Sequence, residues 1–116
     1  SLYQIFNKQS TSKKKKLEVT IEKPIGYSVS KSGVLNLTRF LATRFAVNNI
    51  RVNTLTLGGV YDNNPDEFVK LYSKKTPMGR MANKNEYVGP LLFLVSDMSS
   101  YMTGSNLIVD GGWSAW

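Results

Sequence analysis

Residues 27–39 read YSVSKSGVLNLTR and predict a helix that opens with a tyrosine and a lysine four positions apart. Side chains at this spacing lie on one face of an α-helix, with Cβ atoms about 5–6 Å apart. A nearby ammonium group favours the phenolate form of a tyrosine. Tyr27 and Lys31 are therefore suited to pass a proton to or from a substrate oxygen near neutral pH, as general acid–base catalysis requires. The same spacing also occurs by chance, so an inert pair on a helix surface is the alternative interpretation of these two residues.

The helix is predicted to begin close to Tyr27 and to end near Asn48 and Asn49. Pro24 disfavours a helical conformation at the residue before it, and asparagine readily adopts the left-handed conformation found at helix ends. Apolar residues recur at spacings of three and four, which indicates a stripe for the core or for a contact between subunits. The stripe contains Val34, Leu37, Phe40, Leu41 and Phe45.

Residues 50–57, IRVNTLTL, predict a β-strand that follows the helix after a very short turn. A second short strand is predicted at residues 106–110. The alternation of helices and strands favours a parallel sheet. Ligands of open α/β sheets bind outside the carboxyl ends of the strands. Gly58 and Gly59 follow the first of these strands, so we expect them to lie where the backbone approaches a cofactor.

Two further helices are predicted between these strands. The first begins at Asn64 and Pro65, with the asparagine as cap and the proline as first helical residue, and runs to about Ser73. The second begins with Asn83 as cap and Glu86 three residues later, which is the pattern of a capping box. Its expected buried face consists of Val88, Leu91, Leu92 and Val95.

The composition excludes several kinds of catalytic and metal-binding site. The chain contains no cysteine and no histidine, so disulfides, Cys/His zinc sites and Ser-His-Asp catalysis are not available to it. No metal site is predicted, and any proton chemistry must use tyrosine, lysine or carboxylate groups. No apolar run approaches the roughly 18 residues of a membrane span, and no signal-peptide pattern occurs. We therefore expect no membrane partner and a cytoplasmic location.

The net charge of +7 is concentrated in the first part of the chain. Residues 1–24 contain six lysines and two glutamates, a charge of +4, and four of the lysines form the run 13–16. A polybasic run can bind nucleic acid, but no aromatic residues interleave with this one to stack on bases. We interpret residues 1–24 as a solvated basic loop with a weak strand at 17–21. Binding of nucleic acid is the less favoured alternative.

Six short sequence blocks follow one another along the chain: YSVSKSGVLNLTR (27–39), NIRVN (49–53), GGV (58–60), PMGR (77–80), SD (96–97) and TGSNLIVDGG (103–112). In order and spacing they resemble the C-terminal half of the short-chain dehydrogenase/reductase family. The resemblance runs from Pro24 to Trp113 and implies an α/β fold, namely the C-terminal part of a Rossmann-like, doubly wound parallel sheet.

The glycine-rich phosphate loop of a dinucleotide-binding fold, Gly-x-Gly-x-x-Gly, does not occur in this sequence. We therefore expect that the N-terminal half of the fold is missing. Residues 1–116 are predicted to be the C-terminal portion of a single oxidoreductase domain. Within it, residues 1–24 form a basic loop or insertion, and residues 25–116 carry the active-site helix, the strands, a substrate lid and the C-terminal strand.

The resemblance also implies an activity and a set of site residues. The activity is hydride transfer between the nicotinamide of NAD or NADP and a carbonyl or alcohol substrate. Tyr27 is the implied general acid or base, and Lys31 the residue that favours its phenolate and holds the nicotinamide ribose. Ser1 occupies a position like that of the family's catalytic serine, which orients the carbonyl, or is a stray serine at a truncated end. Tyr27, Lys31, Gly58 and Val60 are implied to contact the cofactor, with the Val60 backbone facing the nicotinamide carboxamide.

Two positions depart from the family pattern. Leu57 stands where the family usually has proline, and Asp62 where it often has threonine. The first change removes a fixed φ angle, and the second places a carboxylate near the expected pyrophosphate. A catalytically silent or truncated member that acts as an assembly partner is therefore the alternative function.

The resemblance implies a homo-oligomer, either a dimer or a tetramer. Trp113 and Trp116 are expected to pack at a subunit interface or to close the substrate pocket, as C-terminal tails of this family often do. The start of the chain and the length of residues 1–27 look most like bacterial members linked to sugar or flagellin-glycan modification. The family resemblance implies a small-molecule carbonyl or alcohol substrate without identifying it.

Overall fold

The computed structural model describes residues 4–6, 20–22 and 24–116. Ser1 and the lysine run 13–16, on which two of the predictions fall, lie outside the described residues. Packing of the backbone divides the chain into two compact units, residues 1–34 and residues 35–116.

In the first unit, two short strands pair in an antiparallel ladder. Strand β1 (Gln4–Phe6) lies beside β2 (Thr20–Glu22), with Ile5 opposite Ile21. Strand β2 overlaps the end of the strand predicted at 17–21, whereas β1 was not predicted. Helix α1 (Ile25–Phe45) follows directly after Pro24, whose carbonyl accepts the backbone N–H of Tyr27 at 2.9 Å. The helix thus begins two residues before Tyr27, close to the predicted start.

The end of α1 agrees with the sequence pattern, but its buried face does not. A 3₁₀ turn (Ala46–Asn48) follows the helix, and Asn49 ends it in the left-handed conformation with φ of 59°. The apolar stripe, expected in the core or at a contact between subunits, does not lie in the core of this chain, because the buried residues of α1 are Thr38 and Ala42. Four members of the stripe, Val34, Leu37, Phe40 and Phe45, are 36–60 % exposed.

Small side chains explain why this other face of α1 packs inward. The hydroxyls of Thr38 and Thr54 are 2.6 Å apart, which joins α1 to the sheet. Ala42 packs against Gly104, where an added Cβ would lie 3.4 Å from the alanine methyl. Close approach to the narrow sheet requires short side chains, so the larger apolar residues of α1 face outward.

The second unit contains the predicted parallel sheet. Strand β3 (Thr54–Leu57) pairs in parallel with β4 (Asn106–Val109), in a register that sets Thr54 beside Asn106 and Leu57 beside Val109. The α/β fold class with a parallel sheet is therefore confirmed. Strand β3 is shorter than the predicted 50–57, because Val52 bonds to the loop before β4: its N–H donates to Thr103 and its carbonyl accepts from Gly104.

Helix α2 (Asp66–Lys75) lies between the two strands in sequence. Its predicted cap is wrong, because the Asn64 side chain accepts the backbone N–H of Asp62 instead, at 3.0 Å. The helix consequently begins one residue after Pro65, whose carbonyl accepts the N–H of Val69. Its buried residues are Phe68 and Tyr72.

Helix α3 (Val88–Val95) is preceded by a 3₁₀ turn (Lys84–Tyr87) that carries the predicted capping box. Pro90 lies in the first turn of α3, where backbone N–H groups have no acceptor within the helix. The predicted buried face is wrong: Val88, Leu91, Leu92 and Val95 are 52–68 % exposed, and the buried residue of α3 is Leu94. These four residues still share one face of α3, and the described part of the chain leaves that face exposed.

A last 3₁₀ turn (Asp97–Ser99) leads towards β4. Within the described part of the chain, none of the helices has the length and apolar character that crossing a membrane would need.

Candidate active site

Tyr27 and Lys31 lie on the same face of α1. The Lys31 Nζ atom is over the Tyr27 ring, 5.5 Å from its centroid, within the range of a cation–π interaction. The tyrosine is half-buried and the lysine is exposed. Ser30 donates its hydroxyl proton to the Tyr27 carbonyl, a bond within the helix. An ammonium and a phenol are thus adjacent on one helical turn, as the spacing predicts.

The glycine pair after β3 is held by contacts within the chain. Gly58 continues the sheet, because its N–H donates to the Val109 carbonyl at 2.9 Å. A Cβ at Gly58 would lie 2.7 Å from the Asp110 Cα, and a Cβ at Gly59 would overlap the Tyr72 ring. The backbone at these two glycines is therefore closely approached by other parts of the same chain, which by itself requires glycine at both positions.

Val60 forms a single parallel bridge with Ala82. Ala82 donates to the Gly59 carbonyl at 2.8 Å and accepts from the Tyr61 N–H at 2.9 Å. In a parallel bridge of this kind, the N–H and C=O of the central residue point away from the partner. The structure gives these two Val60 groups no hydrogen-bond partner within residues 24–116, so they suit a ligand with one donor and one acceptor.

Tyr72, to which the sequence assigned no role beyond the helix that carries it, joins three segments of the second unit. Its hydroxyl accepts the Gly59 N–H at 2.6 Å. Its ring stacks on Trp113 with centroids 4.3 Å apart and an interplanar angle of 15°. Trp113 therefore packs within the chain, against α2, whereas Trp116 is 83 % exposed. The weak sequence signal for Tyr72 was its i, i+4 spacing from Phe68 on the inner face of α2.

A small cavity of about 70 Å³ lies behind the glycine pair. Tyr87 contributes to its wall and is 8 % exposed, and its hydroxyl has no hydrogen-bond partner among the residues that the structure describes. Burial raises the pKa of Tyr87, and the carboxylates of Glu86 and Asp110 act in the same direction. The Gly58 amide acts in the opposite direction, but its proton is already donated to Val109. Tyr87 is consequently a protonated hydroxyl at neutral pH.

Asp110 organises the turn that follows β4. Its carboxylate accepts the Ser114 hydroxyl at 2.7 Å and the Gly112 N–H at 2.9 Å. The Ser114 hydroxyl is the main cause of a lowered Asp110 pKa, and backbone N–H groups of the turn add to it. Gly111 and Gly112 have φ angles of 66° and 87°, which glycine adopts without strain. The VDGG block thus builds the turn that presents Trp113 to Tyr72.

Arg80 and Glu86 form a two-pronged ion pair beside the cavity. Their nitrogen–oxygen distances are 2.7 and 2.6 Å, the geometry of a bidentate guanidinium–carboxylate pair. Glu86 also accepts the Asn83 N–H as part of the capping box. Arg80 first, and the Asn83 N–H second, lower the pKa of Glu86 to about 2. The PMGR block therefore has a structural function in starting the segment that leads to α3.

Arg51, in the NIRVN block, also proves to be structural. Its guanidinium donates to the carbonyls of Leu94, Ser96 and Met102 at 2.9–3.1 Å. Asn53 donates to the same Met102 carbonyl at 2.8 Å. These bonds tie the end of α3 and the loop before β4 to the segment that enters β3.

The predicted site residues fall in different parts of the structure. Tyr27 and Lys31 belong to residues 1–34, Gly58 and Val60 belong to residues 35–116, and Ser1 lies outside the described residues. The contacts above establish the local geometry of each pair. The assignment of all five residues to one catalytic site stays a prediction.

Comparison with known proteins identifies the family. The family described as Enoyl-(Acyl carrier protein) reductase matches residues 11–114. D-arabinitol 2-dehydrogenase [ribulose-forming] of Scheffersomyces stipitis is 44% identical over 98 residues, which are 78% of this chain and 35% of that protein. Post-translational flagellin modification protein A of Campylobacter coli is 40% identical over 94 residues, which are 81% of this chain and 37% of that protein.

Solved structures give the same result. A short-chain dehydrogenase from Leptospira borgpetersenii with bound NAD+ has 42% identity and a TM-score of 0.73, covering 76% of this chain and 35% of that one. A short-chain type dehydrogenase/reductase from Mycobacterium marinum has 34% identity and a TM-score of 0.74, with 87% and 39% covered. The chain thus spans little more than a third of the length of these relatives. By its sequence and its fold, the chain belongs to the short-chain dehydrogenase/reductase family.

Proposed function

We propose that the full-length protein is an NAD(P)-dependent oxidoreductase that interconverts a carbonyl and an alcohol. The observation that carries this proposal is the Tyr27–Lys31 pair, with the ammonium 5.5 Å from the ring centroid on one helical turn. Solved relatives at 42% and 41% identity contain NAD+ and NADP respectively. Residues 1–116 would then be the C-terminal portion of a single oxidoreductase domain in the cytoplasm.

In the proposed mechanism, Tyr27 handles the proton at the substrate oxygen. During reduction of a carbonyl, the Tyr27 hydroxyl gives its proton to the oxygen and becomes a phenolate, and during oxidation it takes the proton back. The Lys31 ammonium stabilises the negative charge of that phenolate and would hold the nicotinamide ribose when the dinucleotide is bound. Ser1 would orient the substrate oxygen. The dinucleotide, when bound, supplies or accepts the hydride.

The backbone around Val60 fits the nicotinamide carboxamide. This group has an N–H donor and a C=O acceptor, and Val60 offers a backbone C=O and N–H that point away from Ala82. Gly58 would form the neighbouring wall of the cofactor site. No step of the proton chemistry depends on these two residues, so their proposed role is binding and orientation.

We further propose that the substrate is a sugar-derived ketone or polyol. Support comes from the activities of similar proteins: D-arabinitol 2-dehydrogenase, an NADH-dependent L-xylulose reductase of Ambrosiozyma monospora at 39% identity, and a 2-dehydro-3-deoxy-D-gluconate 5-dehydrogenase of Escherichia coli at 36% identity. A similar protein also acts on 7alpha-hydroxysteroids, so steroids form the comparison arm of the test.

A homo-oligomer is part of this proposal. The outward apolar residues of α1 and α3, among them Phe40 at 60 % and Leu92 at 59 % exposure, support burial against further protein surface. Oligomeric state is measured by light scattering on the full-length protein, where a monomer at working concentration would contradict this part of the proposal.

Isotope transfer tests the proposed activity. The full-length protein is incubated with NADH or NADPH deuterated at nicotinamide C4 and with separate ketoses, keto acids and 7-ketosteroids. We expect deuterium on the new alcohol carbon of a ketose or keto acid, detected by mass spectrometry. Binding of dinucleotide without transfer to any substrate would favour the catalytically silent alternative, to which the departures at Leu57 and Asp62 point.

A further inference from the structure

Gly59 is held by the chain at both of its peptide groups. Its N–H donates to the Tyr72 hydroxyl at 2.6 Å, and its C=O accepts the Ala82 N–H at 2.8 Å. Because a peptide group is planar, the second bond also fixes the direction of the Val60 N–H, which shares that plane. The first bond fixes the preceding plane. Together they determine the φ and ψ angles of a residue type that is otherwise the most conformationally free.

Tyr72 is itself rigidly placed. Its side chain is 5 % exposed, and its ring stacks on Trp113 and lies 5.9 Å from the ring of Phe68. Trp113 follows the turn that Asp110 holds together. The Tyr72 hydroxyl, which accepts the hydrogen bond from the Gly59 N–H, is therefore held in place by its neighbours. It restrains the loop that contains Gly59.

From these contacts we propose that Tyr72 is a positioning residue for the nicotinamide-binding backbone of Gly59 and Val60. This inference rests on the proposed function, because it takes Val60 as the residue that binds the carboxamide. Tyr72 touches neither substrate nor cofactor in this proposal. It lowers the entropic cost of binding, because the Val60 groups are held in their binding orientation before the dinucleotide arrives.

Tyr72→Phe in the full-length protein tests this role. The phenyl ring keeps the stacking on Trp113, so the fold is retained, and the acceptor for the Gly59 N–H is lost. We expect the Kd for NADH or NADPH to rise about five- to tenfold, since a hydrogen bond contributes about that factor. The KM for the dinucleotide should rise in parallel, whereas kcat at saturating dinucleotide stays within about twofold of the wild-type value.

Ser99→Ala is the matched control. Ser99 is 4 % exposed and donates its hydroxyl to the Leu94 carbonyl at 3.0 Å, so this variant also loses one buried hydroxyl. It should lower the Tm to a similar degree and leave the dinucleotide Kd unchanged. Hydrogen exchange provides a second readout without any cofactor: the amide of Gly59 should exchange faster in Tyr72→Phe and at the wild-type rate in Ser99→Ala.

The outcomes separate this inference from the proposed function. Unchanged dinucleotide affinity in Tyr72→Phe, or an equal loss in Ser99→Ala, overturns the positioning role while the proposed oxidoreductase stands. Unchanged exchange at Gly59 overturns it as well. A wild-type protein that binds neither NADH nor NADPH overturns the proposed function, and the role of Tyr72 in binding falls with it.

Discussion

At the scale of single residues, Tyr27 and Lys31 are paired by helix geometry alone, whereas Gly58 and Gly59 depend on contacts with distant parts of the chain. The spacing of Tyr27 and Lys31 was enough to place them on one helical face, because that geometry depends only on the helix. The glycine pair was expected to make room for a cofactor. In the structure, Gly58 makes room for the Asp110 backbone and Gly59 for the Tyr72 ring. Contacts between residues so far apart in sequence cannot be inferred from local pattern.

The close contact at Gly58 predicts the direction in which a substitution there changes stability. Gly58→Ala should destabilise the protein by about 1–3 kcal/mol, because its methyl group would meet backbone atoms that cannot rotate away. Gly89→Ala, where the added methyl meets nothing within 4 Å, should stabilise α3 by up to about 1 kcal/mol. Urea unfolding of both variants in the full-length protein measures the two effects. If the two variants change the free energy of unfolding equally, or if Gly58→Ala does not lower it, the close approach of Gly58 to Asp110 is wrong.

At the scale of helices and strands, the sequence predicted helix ends reliably, but it did not predict which helix faces are buried. The capping box of Asn83 and Glu86 and the left-handed end of α1 at Asn49 were predicted because each depends on residues close in sequence. The buried face of α3 was predicted wrongly, and the apolar stripe of α1, expected in the core or at a subunit contact, does not lie in the core of this chain. Helix α1 buries the small residues Thr38 and Ala42, and α3 buries Leu94 in place of the predicted face, because the covered face depends on packing partners that lie far away in sequence.

The ion pair between Glu86 and Arg80 should make the stability of the folded protein depend on pH. Its pKa of about 2 in the folded protein lies below the ordinary value of 4.5, mainly because Arg80 bonds the carboxylate. A lowered pKa stabilises the folded state fully above about pH 4.5, and this contribution is lost as the pH falls through about 2. Glu86→Gln keeps a capping side chain but loses the charge. We expect a lower Tm for Glu86→Gln at neutral pH and a difference that narrows below about pH 4.5.

Thermal unfolding of both proteins across this pH range, at low and high salt, checks that expectation. Both groups are about half exposed, so added salt should reduce the difference in Tm. A difference that stays constant down to about pH 2 would show that the charge of Glu86 contributes nothing to the folded state.

Arg51 connects elements through backbone carbonyls. Arg51→Met should remove the three hydrogen bonds from the guanidinium to the carbonyls of Leu94, Ser96 and Met102, at a cost of about 2–3 kcal/mol. Arg39→Met is the control, since Arg39 is exposed and its side-chain bond to Asn36 is long, at 3.5 Å. That variant should change stability by less than about 0.5 kcal/mol. Similar values for the two arginines in denaturant unfolding would contradict the linking role.

At the scale of the whole molecule, the order of sequence blocks predicted the fold class and the family, and both are confirmed. The blocks could do so because several of them build connections: NIRVN through Arg51, PMGR through Arg80, and VDGG through Asp110. The exposed apolar surfaces on α1 and α3 could not be predicted, because a stripe in a sequence does not reveal which surface covers it. The sequence pattern likewise did not predict the substrate class, which is part of the proposed function.

The proposal as a whole depends on proton transfer by Tyr27. The most direct measurement is kcat of the full-length Tyr27→Phe variant with its best ketose substrate, alongside the dinucleotide Kd of the same variant. Tyr101→Phe, which changes a fully exposed tyrosine, is the matched control. We predict that Tyr27→Phe loses at least about 100-fold in kcat while it binds the dinucleotide within about twofold of wild type and Tyr101→Phe is unaffected. Equal turnover by Tyr27→Phe and the wild-type protein would contradict the account.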